Sequence, residues 1–170
     1  MKKHKGMRPH DIIILLKIAA LKDKTWLAKD LAQSLGISAS EVSESLNRSK
    51  LAALVSADKK RLMKSNLLDF LEHGLAYVYP AEPGAIQRGM PTAHSAAPLN
   101  QFISGDEAYV WPWAAGEERG QAIEPLHPAV PAACAKDSLL YELLALVDGL
   151  RLGRVREKNQ AIEGLRKRIL

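Results

Sequence analysis

Side chains able to make or break bonds are few in this chain. His4, His10, His73, His94 and His127 are scattered, and the single Cys134 offers no second thiol, so the spacing of a zinc site is absent. Thr92, His94 and Ser95 stand together in a stretch with acidic residues further along, a grouping that hydrolysis could use, although three polar residues in a loop are most often only a loop. Neither a phosphate-cradling glycine loop nor a Gly-x-Ser-x-Gly elbow occurs. Cys134, between alanines and ahead of a helix, reads as a small buried apolar residue. The expectation is a protein without catalysis, metal or cofactor.

The chemistry that remains is electrostatic. The chain has 170 residues and a formal net charge of +5, but the charge is segregated. Residues 1–80 hold 14 basic against 8 acidic residues, residues 81–150 hold 3 against 9, and residues 151–170 hold 7 against 2. Two basic ends around an acidic middle suit a polyanion, because neutralising phosphates releases counterions. A solvated basic surface is the plainer alternative. The runs Ile12–Leu16 and Leu139–Val147 are short, and the second contains Glu142, so no membrane partner is expected. The basic N-terminus lacks a secretory pattern and one cysteine fits a reducing compartment, which together predict a cytoplasmic location.

Thr25–Val55 is the segment able to position such contacts. Leu27, Leu31 and Leu35 recur at helical spacing beside Ala28 and Ala32, and Gly36 can supply the left-handed residue that ends a helix. Ile37 plugs the turn, Ser38 and Glu41 form a capping box, and Val42, Leu46 and Ala53 line one side of the next helix. This is a helix-turn-helix rhythm.

The spacing of Ala32, Gly36, Ile37 and Val42 resembles that of helix-turn-helix regulators, and LNRSKLAALV resembles the end of the recognition helix in winged-helix, MarR-like bacterial regulators. The likeness covers about a third of the chain and implies a second helix lying in the major groove of double-stranded DNA. Its outward residues are then Ser40, Ser43, Glu44, Asn47 and Arg48, with Ser38 at the cap and Lys50 toward the flank. Arg48 matches a guanine edge, Asn47 an adenine, Glu44 a cytosine amino group, and the serines either bases or phosphates. Glu41 and Glu44 are discordant, since they put negative charge where phosphates crowd. The alternative for Arg48 is a surface ion pair with Glu44, one turn back.

A first helix is expected from Asp11 to about Lys22, preceded by a basic arm of Lys2, Lys3, Lys5 and Arg8 that lies along DNA or frays. A further helix from about Lys60 to His73 offers Lys59, Lys60, Arg61 and Lys64 to phosphates. AYVYP at 76–80 and AYVWP at 108–112 are each followed by an Arg-Gly pair and read as two matched β-hairpins, the first a displaced wing with Gln87 and Arg88 near its tip. Chance similarity is the alternative. Tyr77, Tyr79, Tyr109 and Trp111 raise a lesser possibility, stacking platforms for RNA. Pro125, Pro128 and Pro131 mark an extended connector before two final helices.

The fold expected is mainly α with a small antiparallel β component, residues 1–90 forming a winged helix-turn-helix and residues 91–170 a second hairpin, connector and helical region. Leu140, Leu143, Leu144 and Val147, with Arg151, Arg154 and Arg156, are candidates for a homodimer or partner surface. Function is expected to be sequence-specific duplex binding by a transcriptional regulator. A protein-interaction module, such as an antitoxin gripping the product of a neighbouring gene through its hairpins and basic tail, is the alternative; the stretch from HGLAYVYPAE to the Arg-rich end loosely resembles the regulator or antitoxin partner of some bacterial toxin-antitoxin pairs.

Overall fold

The computed structural model describes residues 4–170. Helix α1, Pro9–Ala20, begins where proline fits the first turn and where Asp11 accepts the Arg8 backbone N–H at 2.8 Å. Ile12 to Leu16 are all buried, so α1 is an interior helix wrapped by others rather than a one-faced surface helix. Helix α2, Ala28–Leu35, ends at Gly36 with φ of 67°, a left-handed residue as its position demands. Helix α3, Ala39–Leu51, starts at Ser38, whose hydroxyl accepts the Glu41 N–H at 3.2 Å, one half of the expected capping box. Val42 and Leu46 point into the core, whereas Ala53 lies beyond the helix and is exposed.

A short hairpin follows α3 directly. Val55 bridges Leu62, Met63 donates to the Leu54 carbonyl at 2.9 Å, and Ser56 donates to the Arg61 carbonyl at 2.8 Å. The helix expected from about Lys60 therefore begins only at Lys64: α4 spans Lys64–His73, and Lys59, Lys60 and Arg61 belong to the hairpin tip. The expected displaced wing at residues 76–90 does not form as a hairpin. A one-bridge hairpin lies instead directly after α3, where no hairpin was expected.

The two copies of the repeated phrase adopt different structures. AYVYP continues from α4 into α5, Leu75–Val78, because fully buried Leu75 anchors a last helical turn and leaves Tyr77 in solvent. AYVWP forms strand β2, Tyr109–Pro112. Strands β1, Ile86–Pro91, and β3, Glu118–Ala122, complete a sheet in which every strand pairs with both others. Strand β1 is antiparallel to β2 and β3, but β2 and β3 run parallel, so the expected second hairpin is a loop wrapped over β1 instead. The wrap is tight at the glycines: a Cβ on Gly89 would lie 1.9 Å from the Trp111 carbonyl oxygen, and one on Gly116 would lie 2.3 Å from Gly89. The repeated Arg-Gly pairs meet here, Arg88 opposite Arg119.

Helices α6, Val130–Ala135, α7, Ser138–Leu152, and α8, Val155–Ile169, close the structure. Asp137 caps α7 through the Leu140 N–H and holds Lys17 of α1 at 2.7 Å. Every residue of α7 from Leu143 to Leu150 is buried, with α1, α5, α6 and α8 against it. One apolar cluster runs from Ile12 to Ile169, and the expected domain boundary at residue 90 falls inside β1, whose partners lie beyond it. The fold is mainly helical with a small mixed sheet. No helix among the described residues is long and apolar enough to cross a membrane.

A buried polar knot ties the sheet to α7. Asp148 accepts from Thr92 Oγ1 and Trp111 Nε1 at 2.7 Å each and from Arg151 at 2.8 Å. Arg151 also donates to the Tyr79 carbonyl at 2.9 Å. Burial pushes the Asp148 carboxyl above its usual range, against the Arg151, Thr92 and Trp111 donors that favour its charged form.

Candidate nucleic-acid interface

Helix α3 divides cleanly by exposure. Val42, Ser45, Leu46 and Ser49 face inward, while Ser40, Ser43, Glu44, Asn47 and Lys50 stand in solvent. Ser38 is exposed but occupied by its cap and by a contact of 3.2 Å with Ser40 Oγ. The hairpin reaches back to this face, where Lys59 Nζ donates to Asn47 Oδ1 at 2.9 Å. That bond takes up the carbonyl end of the amide and leaves its two N–H donors outward.

Arg48 does not join them. Its guanidinium forks onto Asp11, Nε to Oδ2 at 2.9 Å and Nη2 to Oδ1 at 2.7 Å, with only a tenth of the side chain exposed and Asp11 fully buried. Glu44, the partner expected from local spacing, is only grazed at 3.8 Å. The correction follows from burial: a carboxylate enclosed at the start of α1 needs a bidentate cation, and Arg48 on the crossing helix supplies it. Desolvation works to raise the Asp11 carboxyl. The Arg48 side chain and the Arg8 N–H overcome it and hold the group below its ordinary value, and the Ser45 hydroxyl faces it with the same effect, without closing a full hydrogen bond.

His10 completes this junction. Its Nε2 lies 3.2 Å from Arg48 Nη2, and because guanidinium only donates, the ring nitrogen must accept. Burial lowers the His10 value first, Arg48 and His127 push the same way, and Asp11 and Glu41 oppose them. His127 meets the ring edge-on at a centroid distance of 5.8 Å. Tyr79 is desolvated beside Asp11 and Arg48, its hydroxyl buried without a partner among the described residues and its pKa pushed up to about 12.

Two cationic hollows are present, and α3 lines the first of them. The first, about 720 Å³, is open and lined by His4, Lys5, Arg8, Glu44, Asn47, Arg48, Lys50 and Leu51. The second, about 510 Å³, lies between the end of α1, the loop leading to α2, residues 60–62 of the hairpin and the start of α4, where Lys22, Lys24, Lys60, Arg61 and Lys64 gather around half-buried Trp26. Lys22, Lys24 and Trp26 were missed by sequence reasoning; the signal was the polar KDKTW break between apolar stretches.

The remaining candidates scatter. Gln87 and Arg88 lie exposed on β1, in the sheet that packs beside α7, and not in the hairpin after α3. Trp111 is fully buried and Tyr79 and Tyr109 are half-buried, so of the four expected stacking aromatics only Tyr77 stands free. Leu140, Leu143, Leu144 and Val147 are filled by the chain's own core and Arg151 by Asp148, which removes them as a dimer surface; Arg154 and Arg156 are exposed at the start of α8. Lys2 and Lys3 lie outside the described residues. Neither protein-family models, nor curated proteins, nor solved structures give a match to this chain.

Proposed function

We propose that the protein binds double-stranded DNA sequence-specifically through α3 and acts as a transcriptional regulator. The observation that carries this reading is the uncovered polar face of α3, with Ser40, Ser43, Glu44 and Asn47 in solvent and the cationic hairpin tip beside it. A helix presented this way matches the width of the major groove, and its hydroxyl, carboxylate and amide groups match base edges. Arg48 has a different task here. Paired with Asp11, it fixes the angle of α3 on α1 rather than touching a base.

With its carbonyl held by Lys59, Asn47 offers donors only, which suit guanine N7 and O6 or thymine O4 better than the donor-acceptor pattern of adenine. The test is selection of bound duplexes from a randomised pool, followed by the same selection with Asn47→Ala. Loss of preference at one base position, with about 1 to 3 kcal/mol lost on the selected site and unchanged thermal stability, is the expected result. Absence of duplex binding even at low salt would overturn the reading.

A further inference from the structure

We infer that the protein grips a duplex by both strands at once, with one cationic cluster at each end of α1. This rests on the reading of α3 as the helix that enters the groove. At the N-terminal end of α1 stand Lys5 and Arg8, joined by Lys50 from α3. At its C-terminal end, Lys22 and Lys24 of the loop after α1, Lys60 and Arg61 of the hairpin and Lys64 at the start of α4 converge from three chain segments.

Three features of the second cluster point to a polyanion. Among the described residues, Asp23 is the only acidic side chain lining that hollow. Among the described residues none of its five cations forms a salt bridge; Lys22 spends its ammonium on the Arg168 carbonyl at the end of α8. Like charges drawn together without counter-charge repel, and a phosphate backbone relieves that repulsion. The third feature is the floor of the hollow, where Ile18, Trp26, Leu27 and Leu62 give apolar surface against which the sugars of the same backbone can pack.

The spacing fits one strand at each cluster. The twelve residues of α1, at a rise of about 1.5 Å each, put the clusters on the order of 18 Å apart. That is enough to straddle a major groove about 12 Å wide, with a phosphate backbone on either side.

The experiment measures duplex affinity against salt for the wild type, for Lys24→Ala/Lys60→Ala/Lys64→Ala, and for Lys5→Ala/Lys50→Ala, with hydroxyl-radical footprints of each strand. Each lost phosphate contact should flatten the log–log salt slope by about 0.9. The expected result is a fall of about 2.7 for the first variant and about 1.8 for the second, additive when combined, each erasing protection on a different strand. Lys5, Lys24, Lys50 and Lys60 are exposed and Lys64 is half-buried, and matched melting temperatures exclude misfolding as the cause. If wild type protects a duplex while the Lys24/Lys60/Lys64 variant keeps its slope and footprint, the two-strand grip is wrong and the α3 reading stands. Protection of one strand only, or equal affinity for single-stranded oligonucleotide, also overturns it. If wild type binds no duplex at low salt, both fall together.

Discussion

Replacing Arg48 by alanine separates a base-reading residue from a structural one. A base contact can be deleted with little effect on folding, whereas here the deletion strands Asp11. That carboxylate has no exposure, and Arg48 gives it two bonds of 2.9 and 2.7 Å, leaving the Arg8 N–H as its remaining hydrogen-bond donor. Removing one partner of a buried pair costs about 3 to 5 kcal/mol, and in a chain of this size each kcal/mol shifts the melting temperature by roughly 2 to 4 °C. Arg48→Ala is therefore expected to melt on the order of 10 °C below wild type. Lysine should rescue little, because a point charge cannot reproduce the fork. Asp11→Ala/Arg48→Ala should be more stable than the sum of the single losses implies, since no charge is left enclosed. Urea titration and calorimetry of wild type, Arg48→Ala, Asp11→Ala and the double variant give the coupling. The pair also has a pH signature. Asp11 is held below its unfolded value near 3.8, so its contribution is complete above that value and is lost as pH falls through the depressed folded value. Wild type should lose stability across that acid window and the double variant should lose less. A single variant within about 0.5 kcal/mol of wild type, the range of an ordinary surface substitution, would refute this account of Arg48.

Other expectations follow from the same geometry. Trp111→Phe removes the indole donor from buried Asp148 and should cost about 1 to 3 kcal/mol in urea unfolding. Ala53→Gly should stabilise by about 0.5 to 1 kcal/mol, because Ala53 holds a left-handed φ of 59° just after α3 where glycine has no penalty; an unchanged midpoint would count against it. Gly116→Ala should disorder the wrap over β1, read as loss of near-ultraviolet dichroism from Trp111 and Trp113, since the added methyl has backbone in its place. Burial drives the Cys134 thiol well above its ordinary value, so a disulfide reagent at neutral pH should label it only as fast as the protein unfolds.

The helix-turn-helix segment was legible because its signals are local. Gly36, Ser38 and the leucine spacing lie within a few residues of the structure they specify. Arg48 was misread because its partner lies 37 residues away while a weaker one, Glu44, sits a turn back. The hairpin after α3 escaped notice because it carries one bridge, Val55 to Leu62, too short for alternation to register; the apolar pairs Leu54–Val55 and Leu62–Met63 around a polar tip were its trace. The tyrosine phrase shows the limit of propensity. Preceded by a helix and buried Leu75 it coils, and preceded by a loop and paired with β1 it extends. The Arg-Gly pairs matter through their glycines, which let backbones touch, and not through a recurring hairpin.

Burial of α7 along most of its length has a consequence for handling and ancestry. Many DNA-reading heads can be cut from their parent chain and fused elsewhere, because their cores are self-contained. Here the helix that packs under the N-terminal helices lies at 138–152, and α1 is sealed partly by it and partly by α8. A fragment stopping near residue 80 would expose isoleucines and leucines of α1 to water, so the unit can be transplanted, shuffled or truncated only as a whole.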